Sequence, residues 1–320
     1  MGNQLWVYAA ACSIAQQLGM PHHVFNLEQF KGAAFLEIDP GAAIPDGPGQ
    51  RRITAQDFTR FNEQLFFDAE LDYFASDFDP RVLALRPNSV VDGLFQSEEY
   101  FFGDLSRLGR YLRLKPEYAA KRLVPDDCCV VYVRGGEYKR YKNLILPESY
   151  WRDAMRNMRE RFGIDRFVAV SDDDRYVKAL LPELPLVPGG MAEDFVALAQ
   201  ARFAILANSS WGYFPAKTGA PGKQVIAPMH WSRFNNRFSR WASPANFYQD
   251  WLWQDASGQL RSQAECLEVR NATSAFYSEN YHVRTAMSSM QKSHFRQFLP
   301  ARWRRATKKL LSVFFPRHIG

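Results

Sequence analysis

The sequence lacks several features that would place it in a specialised class of protein. Its four cysteines include no Cys-x-x-Cys spacing, which argues against a zinc site, and we expect buried thiols in a reducing compartment. No apolar run reaches the roughly 20 residues of a membrane-spanning helix. We therefore expect a cytoplasmic protein of one to two domains, whose 47% hydrophobic content supplies a sizeable core.

Acidic residues are missing from the end of the chain. From Asn280 to Gly320 there are nine Lys or Arg and no Asp or Glu, which leaves 31 basic and 34 acidic residues elsewhere. The positive charge thus belongs to the tail, which argues against a nucleic-acid-binding core. Residues 301–315, from Ala301 to Phe315, predict a basic amphipathic helix. This helix either docks on the protein or lies on the inner face of an anionic membrane.

The second half alternates between two hydrophobic patterns. Strands are predicted at residues 128–133, 166–170, 184–187, 203–207 and 224–227, with helices at 147–162, 174–181 and 192–201. Strands that alternate with helices predict a parallel sheet covered by helices on both faces. We expect a Rossmann-like domain over residues 126–253.

The first half is α/β but less regular. A loop at Gly2-Asn3-Gln4 precedes a helix predicted over residues 5–18. Strands are predicted at 24–27 and 90–96, a loop at 32–50, and helices at 58–71, 100–114 and 115–123. No strand precedes the Gly loop, so we hypothesise that the sequence starts at an internal methionine or is truncated. Residues 1–125 form the first predicted domain, and 254–320 form an extension.

The most informative stretch is Val130-Val131-Tyr132-Val133-Arg134-Gly135-Gly136-Glu137. A β-branched run ends in an arginine, two glycines and an acid, so Arg134 and Glu137 are expected at the carboxyl end of a buried strand, where α/β sheets bind ligands. A guanidinium there can hold a phosphate, and a carboxylate can accept a proton. The alternative is a strand end that carries a surface ion pair.

Two further polar segments follow predicted strands. Ser171-Asp172-Asp173-Asp174 is compatible with a helix N-cap or with a metal site. Asn208-Ser209-Ser210 can donate to phosphate near a helix N-terminus. The aromatic residues that follow, from Trp211, line a pocket or pack in the core.

Five segments resemble, in order, the signatures of the α-1,2-fucosyltransferases of glycosyltransferase family 11. The stretch from residue 130 to Tyr138 resembles H-V-R-R-G-D-Y, and residues 1–9 resemble G-N-Q-L-F-Q-Y-A. Residues 93–101 are similar to G-Y-F-Q-S-x-x-Y-F, residues 170–173 to F-S-D-D, and residues 207–210 to the start of A-N-S-S-F-S-W-W. The resemblance covers residues 1–253.

The resemblance implies two Rossmann-like domains that face a cleft (GT-B type), the first without its N-terminal strand, plus a helical basic tail. It implies inverting, metal-independent transfer of fucose from GDP-fucose to a galactose-type hydroxyl of a glycan or lipid-linked glycan, with no cofactor. The expected site residues are Arg134 and Glu137 for catalysis; Gly2, Asn3, Gln4, Tyr132, Ser171, Asp172, Asp173, Asn208, Ser209 and Ser210 for the donor; and Gln96, Ser97 and Tyr138 for the acceptor.

Three positions depart from the family pattern. Its histidine is Tyr132 here, its second arginine is Gly135, and its aspartate is Glu137. Lys139 or Arg140 is a candidate replacement for the second cation. The departures keep two alternatives open, namely the same scaffold with another nucleotide sugar, and a non-catalytic protein that binds a nucleotide sugar or glycan.

Overall fold

The computed structural model describes residues 1–43 and 54–280. The chain divides into two compact units. The first contains Met1, Asn3–Arg113 and the chain from Phe276, and the second contains Gly2 and Leu114–Ala275. The helix predicted over residues 301–315 lies outside the described residues. Among the helices that are described, none has the length and the apolar character needed to cross a membrane.

The first unit carries short strands in small sheets. Its elements are α1 (Gly2–Gln17), β1 (Leu36–Ile38), β2 (Thr59–Asn62), β3 (Leu65–Asp68), β4 (Tyr73–Ser76), β5 (Ser89–Asp92), α2 (Arg107–Tyr111) and β6 (Leu112–Leu114). β1 pairs with β6, β2 lies parallel to β5, and β3 lies antiparallel to β4. Val7, Ile14, Phe95 and Tyr100 belong to the core cluster under α1.

Several local predictions for this half are wrong. Gly2-Asn3-Gln4 forms the first turn of α1, because the Leu5 amide already donates to the Met1 carbonyl. Residues 58–71 form β2 and β3 instead of a helix, and residues 24–27 form no strand. The predicted helices at 100–114 and 115–123 are reduced to α2 and the single turn α3 (Pro116–Ala119). β2 pairs with the distant β5, whereas β3 forms a local hairpin with β4.

The second unit is built on one large sheet. After α3 its elements are β7 (Cys128–Val133), α4 (Glu148–Phe162), β8 (Arg166–Ser171), α5 (Asp174–Leu180), α6 (Met191–Gln200), β9 (Phe203–Leu206), α7 (Ser210–Lys217), β10 (Gln224–Pro228), β11 (Leu252–Gln254), β12 (Leu260–Arg261) and α8 (Gln263–Glu279). The strand order is β12-β11-β10-β9-β7-β8, and every neighbouring pair is parallel except β11 with β12. The prediction of a mixed α/β fold with a mainly parallel sheet is confirmed.

The central strands of this sheet match the sequence prediction closely. β7 is buried along its whole length, as its unbroken apolar run predicts for a strand covered on both faces. The strand predicted at 184–187 is reduced to a bridge between Ala169 and Leu186. The sheet continues through β12, beyond the expected boundary at residue 253.

Residues 231–253 of the same unit contribute a cluster of packed aromatic rings. Trp231, Trp241, Trp251 and Trp253 are all buried, and the rings of Trp241 and Trp253 lie edge to face at 4.7 Å. The Trp241 indole donates to the Cys266 carbonyl on α8 at 3.3 Å. All four cysteines are free and buried, as predicted.

Candidate functional site

The order of strands creates a crevice in the second unit. The chain runs from β7 outward to β8, then returns to β9 on the other side of β7. Connections therefore leave β7 and β9 in opposite directions, and α/β sheets bind ligands beyond the carboxyl ends of strands at such a switch point. Arg134 follows β7 and Asn208 lies two residues after β9, so both lie at this edge, while Asp172 follows the neighbouring β8.

Arg134 has an acidic partner for one of its nitrogens and no partner for another within the part of the chain that the structure describes. Its Nη1 lies 2.8 Å from Asp172 Oδ2, and its Cζ lies 5.4 Å from the centre of the Tyr138 ring. Its Nε is buried and has no hydrogen-bond partner among the described residues. A buried donor without an acceptor costs about 1–3 kcal/mol, so this atom is a natural position for a ligand oxygen.

Asp172 also fixes the backbone after β7. Its Oδ1 accepts a hydrogen bond of 3.0 Å from the Gly135 amide. A Cβ added to Gly136, whose φ is +29°, would lie 2.0 Å from Asp172 Oδ2. One carboxylate thus positions both the guanidinium and the turn, and the turn must pass so close to it that glycine is required.

A side chain at Gly135 would meet other atoms. A Cβ built there lies 2.8 Å from Tyr176 Cδ1 and 2.9 Å from Asp173 Cβ. The second arginine of the fucosyltransferase signature therefore has no room in this chain. Lys139, a candidate replacement, forms an ion pair with Asp173, and its Nζ lies 5.8 Å from the Tyr176 ring centre.

Asp173 caps a helix. Its side chain accepts from the Tyr176 amide at 3.0 Å at the start of α5. The ion pair with Lys139, together with this helix-terminal bond, holds the pKa of Asp173 below its ordinary value. The cap predicted from Ser171-Asp172-Asp173 is present, with the Ser171 hydroxyl accepting from the Asp173 amide. Within residues 1–43 and 54–280 no group of three or more His, Cys, Asp or Glu side chains is arranged to hold a metal ion.

Asn208 supplies the opposite wall of the crevice. It is buried, and its Nδ2 donates to the Leu144 carbonyl at 3.1 Å, while its Oδ1 is buried without a partner in the described chain. The Tyr138 hydroxyl donates to the Asn208 backbone carbonyl at 3.3 Å. Tyr138 therefore links the two walls, because its ring contacts Arg134 and its hydroxyl contacts Asn208.

Ser209 and Ser210 lead into α7. Ser209 is the N-cap residue, and its Oγ accepts from the Tyr132 hydroxyl at 3.2 Å. Tyr132 is 3% exposed and packs against Trp211, with ring centres 4.8 Å apart. Where the fucosyltransferase signature has a histidine, this chain thus has a buried aromatic residue whose hydroxyl is hydrogen-bonded to Ser209.

Glu137 and Asp194 are two further acidic residues of this unit, and their environments differ. Glu137 is exposed in a 3₁₀ turn, Gly136–Arg140, three residues after Arg134. Asp194, in the first turn of α6, was not singled out from the sequence. Burial, reinforced by the negative charges of Asp174, Glu193 and Asp172, raises its pKa to about 7. The fold brings Asp194 close to Asp172 and Asp174, which belong to other elements.

The remaining predicted site residues lie on α1 and on the segment after β5. Gln96 Nε2 donates to Asn3 Oδ1 at 3.0 Å. Ser97 begins a 3₁₀ turn and its hydroxyl accepts from the Glu99 amide. Gln4 is 3% exposed and its Oε1 has no partner among the described residues. Gly2 is the first residue of α1.

Glu63 holds the segment that carries Gln96, and the sequence did not single it out. Its Oε2 accepts from the amides of Leu94 and Phe95 at 2.6 and 2.9 Å, and its Oε1 accepts from the Tyr100 hydroxyl at 3.1 Å. Burial raises the pKa of Glu63 to about 7, against these hydrogen bonds. Phe95 has a φ of 50°, so the carboxylate stabilises a strained turn immediately before Gln96.

Comparison of the chain with protein-family models, with curated proteins and with solved structures gave no match.

Proposed function

We propose that the protein is an inverting glycosyltransferase that binds the diphosphate of a nucleotide sugar at the crevice between β7 and β9. One observation carries this proposal. An unpartnered buried donor, Arg134 Nε, and an unpartnered buried acceptor, Asn208 Oδ1, lie at the same switch point and are linked by Tyr138. A ligand with phosphate oxygens and neighbouring hydroxyl or N–H groups would satisfy both atoms.

The proposed chemistry places positive charge where the leaving group becomes negative. The acceptor oxygen attacks the anomeric carbon, and the bond from that carbon to the diphosphate oxygen breaks. The diphosphate leaves with the bonding electrons, and Arg134 stabilises the developing charge. Charge-assisted hydrogen bonds of this kind contribute about 1.5–3 kcal/mol each. Ser209 and Ser210 at the start of α7 provide further donors for phosphate oxygens.

The acceptor hydroxyl must lose a proton during the attack. Glu137 is the proposed base, since it is an exposed carboxylate on the same turn as Arg134. Asp194 is the second acid to test, because its raised pKa of about 7 suits proton exchange near neutrality.

The proposed donor is GDP-fucose and the proposed acceptor a galactose-type hydroxyl of a glycan or lipid-linked glycan. Both follow from the five segments that resemble the α-1,2-fucosyltransferases, as does the GT-B architecture. The crowding at Gly135 and the pairing of Lys139 with Asp173 favour a second candidate, which is the same scaffold with another nucleotide sugar. A contact of residues 301–315 with an anionic membrane belongs to the same proposal.

The test is a ligand panel followed by turnover. Thermal stability is measured with GDP-fucose, GDP-mannose, GDP and UDP-sugars, each with and without EDTA. A ligand at a hundredfold excess over its dissociation constant stabilises the folded state by about 2.7 kcal/mol. Stabilisation by GDP-fucose alone among the sugars supports the first candidate, and stabilisation by a different sugar supports the second. No stabilisation by any of them contradicts both.

Turnover separates an enzyme from a binding protein. Release of the nucleotide is measured with an array of galactose-containing acceptors for the wild type, Glu137→Gln and Asp194→Asn. A base at Glu137 predicts loss of turnover in Glu137→Gln with nucleotide affinity unchanged. Nucleotide binding without turnover in the wild type on every acceptor would identify a non-catalytic binding protein.

A further inference from the structure

The first unit contains a cavity that the proposed activity does not use. Its volume is about 350 Å³, and its walls come from one face of α1, the segment at residues 20–25, Phe58 and the chain from Leu85 to Val91. This volume lies in the range of about 300–1,000 Å³ that is typical of small-molecule sites. Val7, Ile14 and Val91 are among the side chains that form its floor.

The cavity wall is mainly apolar and carries a few polar side chains. Most of the lining side chains are aliphatic or aromatic, and no Asp or Glu is among them. The polar lining residues are Arg86, with His22, His23, Tyr8, Asn88 and Ser89, and of these only Arg86 carries a permanent positive charge. Arg86 is exposed and has no acid partner among the described residues. An apolar chamber with cationic and imidazole donors and without acids complements a ligand with an apolar body and a negative end.

The ring of His22 gives separate support for a ligand, because one of its nitrogens is buried without a hydrogen-bond partner in the part of the chain that the structure describes. Its Nε2 is buried without a hydrogen-bond partner in the described residues, and the nearest carboxylate oxygen, Asp39 Oδ2, lies 3.9 Å away. That separation is too long for a hydrogen bond. A ligand oxygen at the cavity wall would satisfy this nitrogen, as Arg134 Nε is satisfied in the proposed nucleotide site.

The wall that carries the histidines is held by backbone bonds. The Ala42 amide donates to the His22 carbonyl at 2.8 Å, and His23 Nδ1 lies 2.9 Å from the Ala42 carbonyl. Gly41 allows this approach, since its φ is +77° and an added Cβ would lie 2.1 Å from the His22 carbonyl oxygen. The backbone that carries His22 and the ring of His23 are therefore pre-positioned, which reduces the entropy lost when a ligand binds.

We propose that this cavity binds a single-chain anionic amphiphile, with the alkyl chain against α1 and the negative head near Arg86 and His22. The ligand class is defined by its chemistry, and both fatty carboxylates and alkyl phosphates belong to it. The proposal is independent of the proposed glycosyl transfer, because it rests on different residues.

The experiment is a calorimetric titration of the full chain with dodecanoate, octanoate, dodecyl phosphate and uncharged dodecanol, all below their micelle or solubility limits. Each buried methylene contributes about 0.8 kcal/mol, which is about a fourfold change in affinity. Affinity should therefore rise steeply from octanoate to dodecanoate, and dodecanol should bind more weakly than either charged dodecyl ligand. Stronger binding of dodecyl phosphate than of dodecanoate would indicate an alkyl phosphate as the natural ligand, and the reverse order a carboxylate.

Three variants locate the site. Ala11→Phe places a ring in the chamber from α1 and should lower dodecanoate affinity at least tenfold, with folding checked by circular dichroism. Arg86→Gln changes only an exposed side chain and should weaken the charged ligands several-fold without affecting dodecanol. Arg175→Gln, an exposed arginine on α5, is the matched control. Equal affinity for octanoate and dodecanoate, or wild-type affinity in both Ala11→Phe and Arg86→Gln, would overturn the proposal.

Discussion

Arg134 and Asp172 form an ion pair across the carboxyl edge of the sheet, with Nη1 2.8 Å from Oδ2. The same guanidinium keeps its Nε buried and unpartnered within the described chain. Asp172 therefore orients Arg134 without using all of its donors. A pre-oriented guanidinium with a spare donor is suited to a phosphate, because little reorganisation is needed when the anion arrives.

An arginine at position 135, where the fucosyltransferase signature has its second arginine, should destabilise this protein. Gly135→Arg forces a Cβ to within 2.9 Å of Asp173 and closer still to Tyr176, so these side chains must move. Overpacking of this kind costs about 1–3 kcal/mol. Urea-induced unfolding measures the loss. Gly109→Ala in α2 is the control, because nothing lies within 4 Å of the added Cβ. Equal stability of the two variants would contradict the packing described at Gly135.

The sequence predicted the second unit well because its signals are local. An unbroken apolar run identifies β7, since a strand covered on both faces needs no polar alternation. The motifs after β7, β8 and β9 were recognisable, and parallel strands place their carboxyl ends at one edge. The pairing of Arg134 with Asp172 was not predictable, because the ordering of strands in the sheet decides which of these side chains meet.

The first unit was harder to predict from the sequence, because several of its contacts join residues that are distant in the chain. Asp68 ends β3 as a buried acid, and its Oδ2 accepts from the Tyr277 hydroxyl at 2.9 Å, 209 residues away. No local pattern reveals such a partner, and the aromatic run around it was wrongly predicted as a helix. Glu63 was missed for the same reason, since its three donors come from residues 94–100.

Lys223 should be essential for stability although it lies outside the site. Its Nζ donates to the carbonyls of Leu198, Ala199 and Pro215 at 2.6, 3.0 and 2.9 Å, near the ends of α6 and α7. Lys223→Met removes the donor that these three carbonyls share, although the Ala199 carbonyl keeps the Ala220 amide, and should lower the free energy of unfolding by about 2–3 kcal/mol. The exposed Lys178→Met on α5 should change it by less than about 0.5 kcal/mol. A loss no larger than that of Lys178→Met would show that Lys223 is dispensable.

His230 should make the protein less stable in acid. Burial lowers the pKa of its imidazole to about 4, from an ordinary 6.5. The unfolded chain then binds a proton as the pH falls from 6.5 to 4 while the folded chain does not, so stability is lost over that window. From pH 7 to pH 5 this contribution amounts to about 2 kcal/mol.

His230→Asn removes the titrating group and keeps a residue type that tolerates the φ of 65° at this position. Urea unfolding of both proteins at pH 7, 6 and 5 is the measurement. The variant should lose less stability on acidification than the wild type, and parallel curves would contradict a neutral buried imidazole.

Glu63, in contrast to His230, should make the protein less stable as the pH rises. Burial raises the pKa of its carboxyl to about 7 from an ordinary 4.5, so the folded chain binds the proton more tightly. Its contribution is complete below pH 4.5 and is lost as the pH rises towards and through 7. Between pH 5 and pH 7 the change is about 2 kcal/mol.

Glu63→Gln keeps an acceptor for the amides of Leu94 and Phe95 and no longer titrates. Compared with the wild type over pH 5 to 7, this variant should lose less stability as the pH rises. His230→Asn provides the comparison of opposite sign under the same conditions. A steeper loss in Glu63→Gln than in the wild type would reverse the assignment.

The most direct test of the proposed site is a calorimetric titration of GDP into the wild type, Arg134→Ala and Arg166→Ala. Arg166 is the matched control, because it pairs with Asp127 at 3.1 Å at the opposite, amino end of β8. One GDP should bind the wild type, and Arg134→Ala should weaken it about 10- to 100-fold, since a charge-assisted bond of about 1.5–3 kcal/mol is lost. Arg166→Ala should bind as the wild type does. Equal affinity in all three proteins, or no binding to the wild type, would contradict a diphosphate site at the β7–β9 crevice.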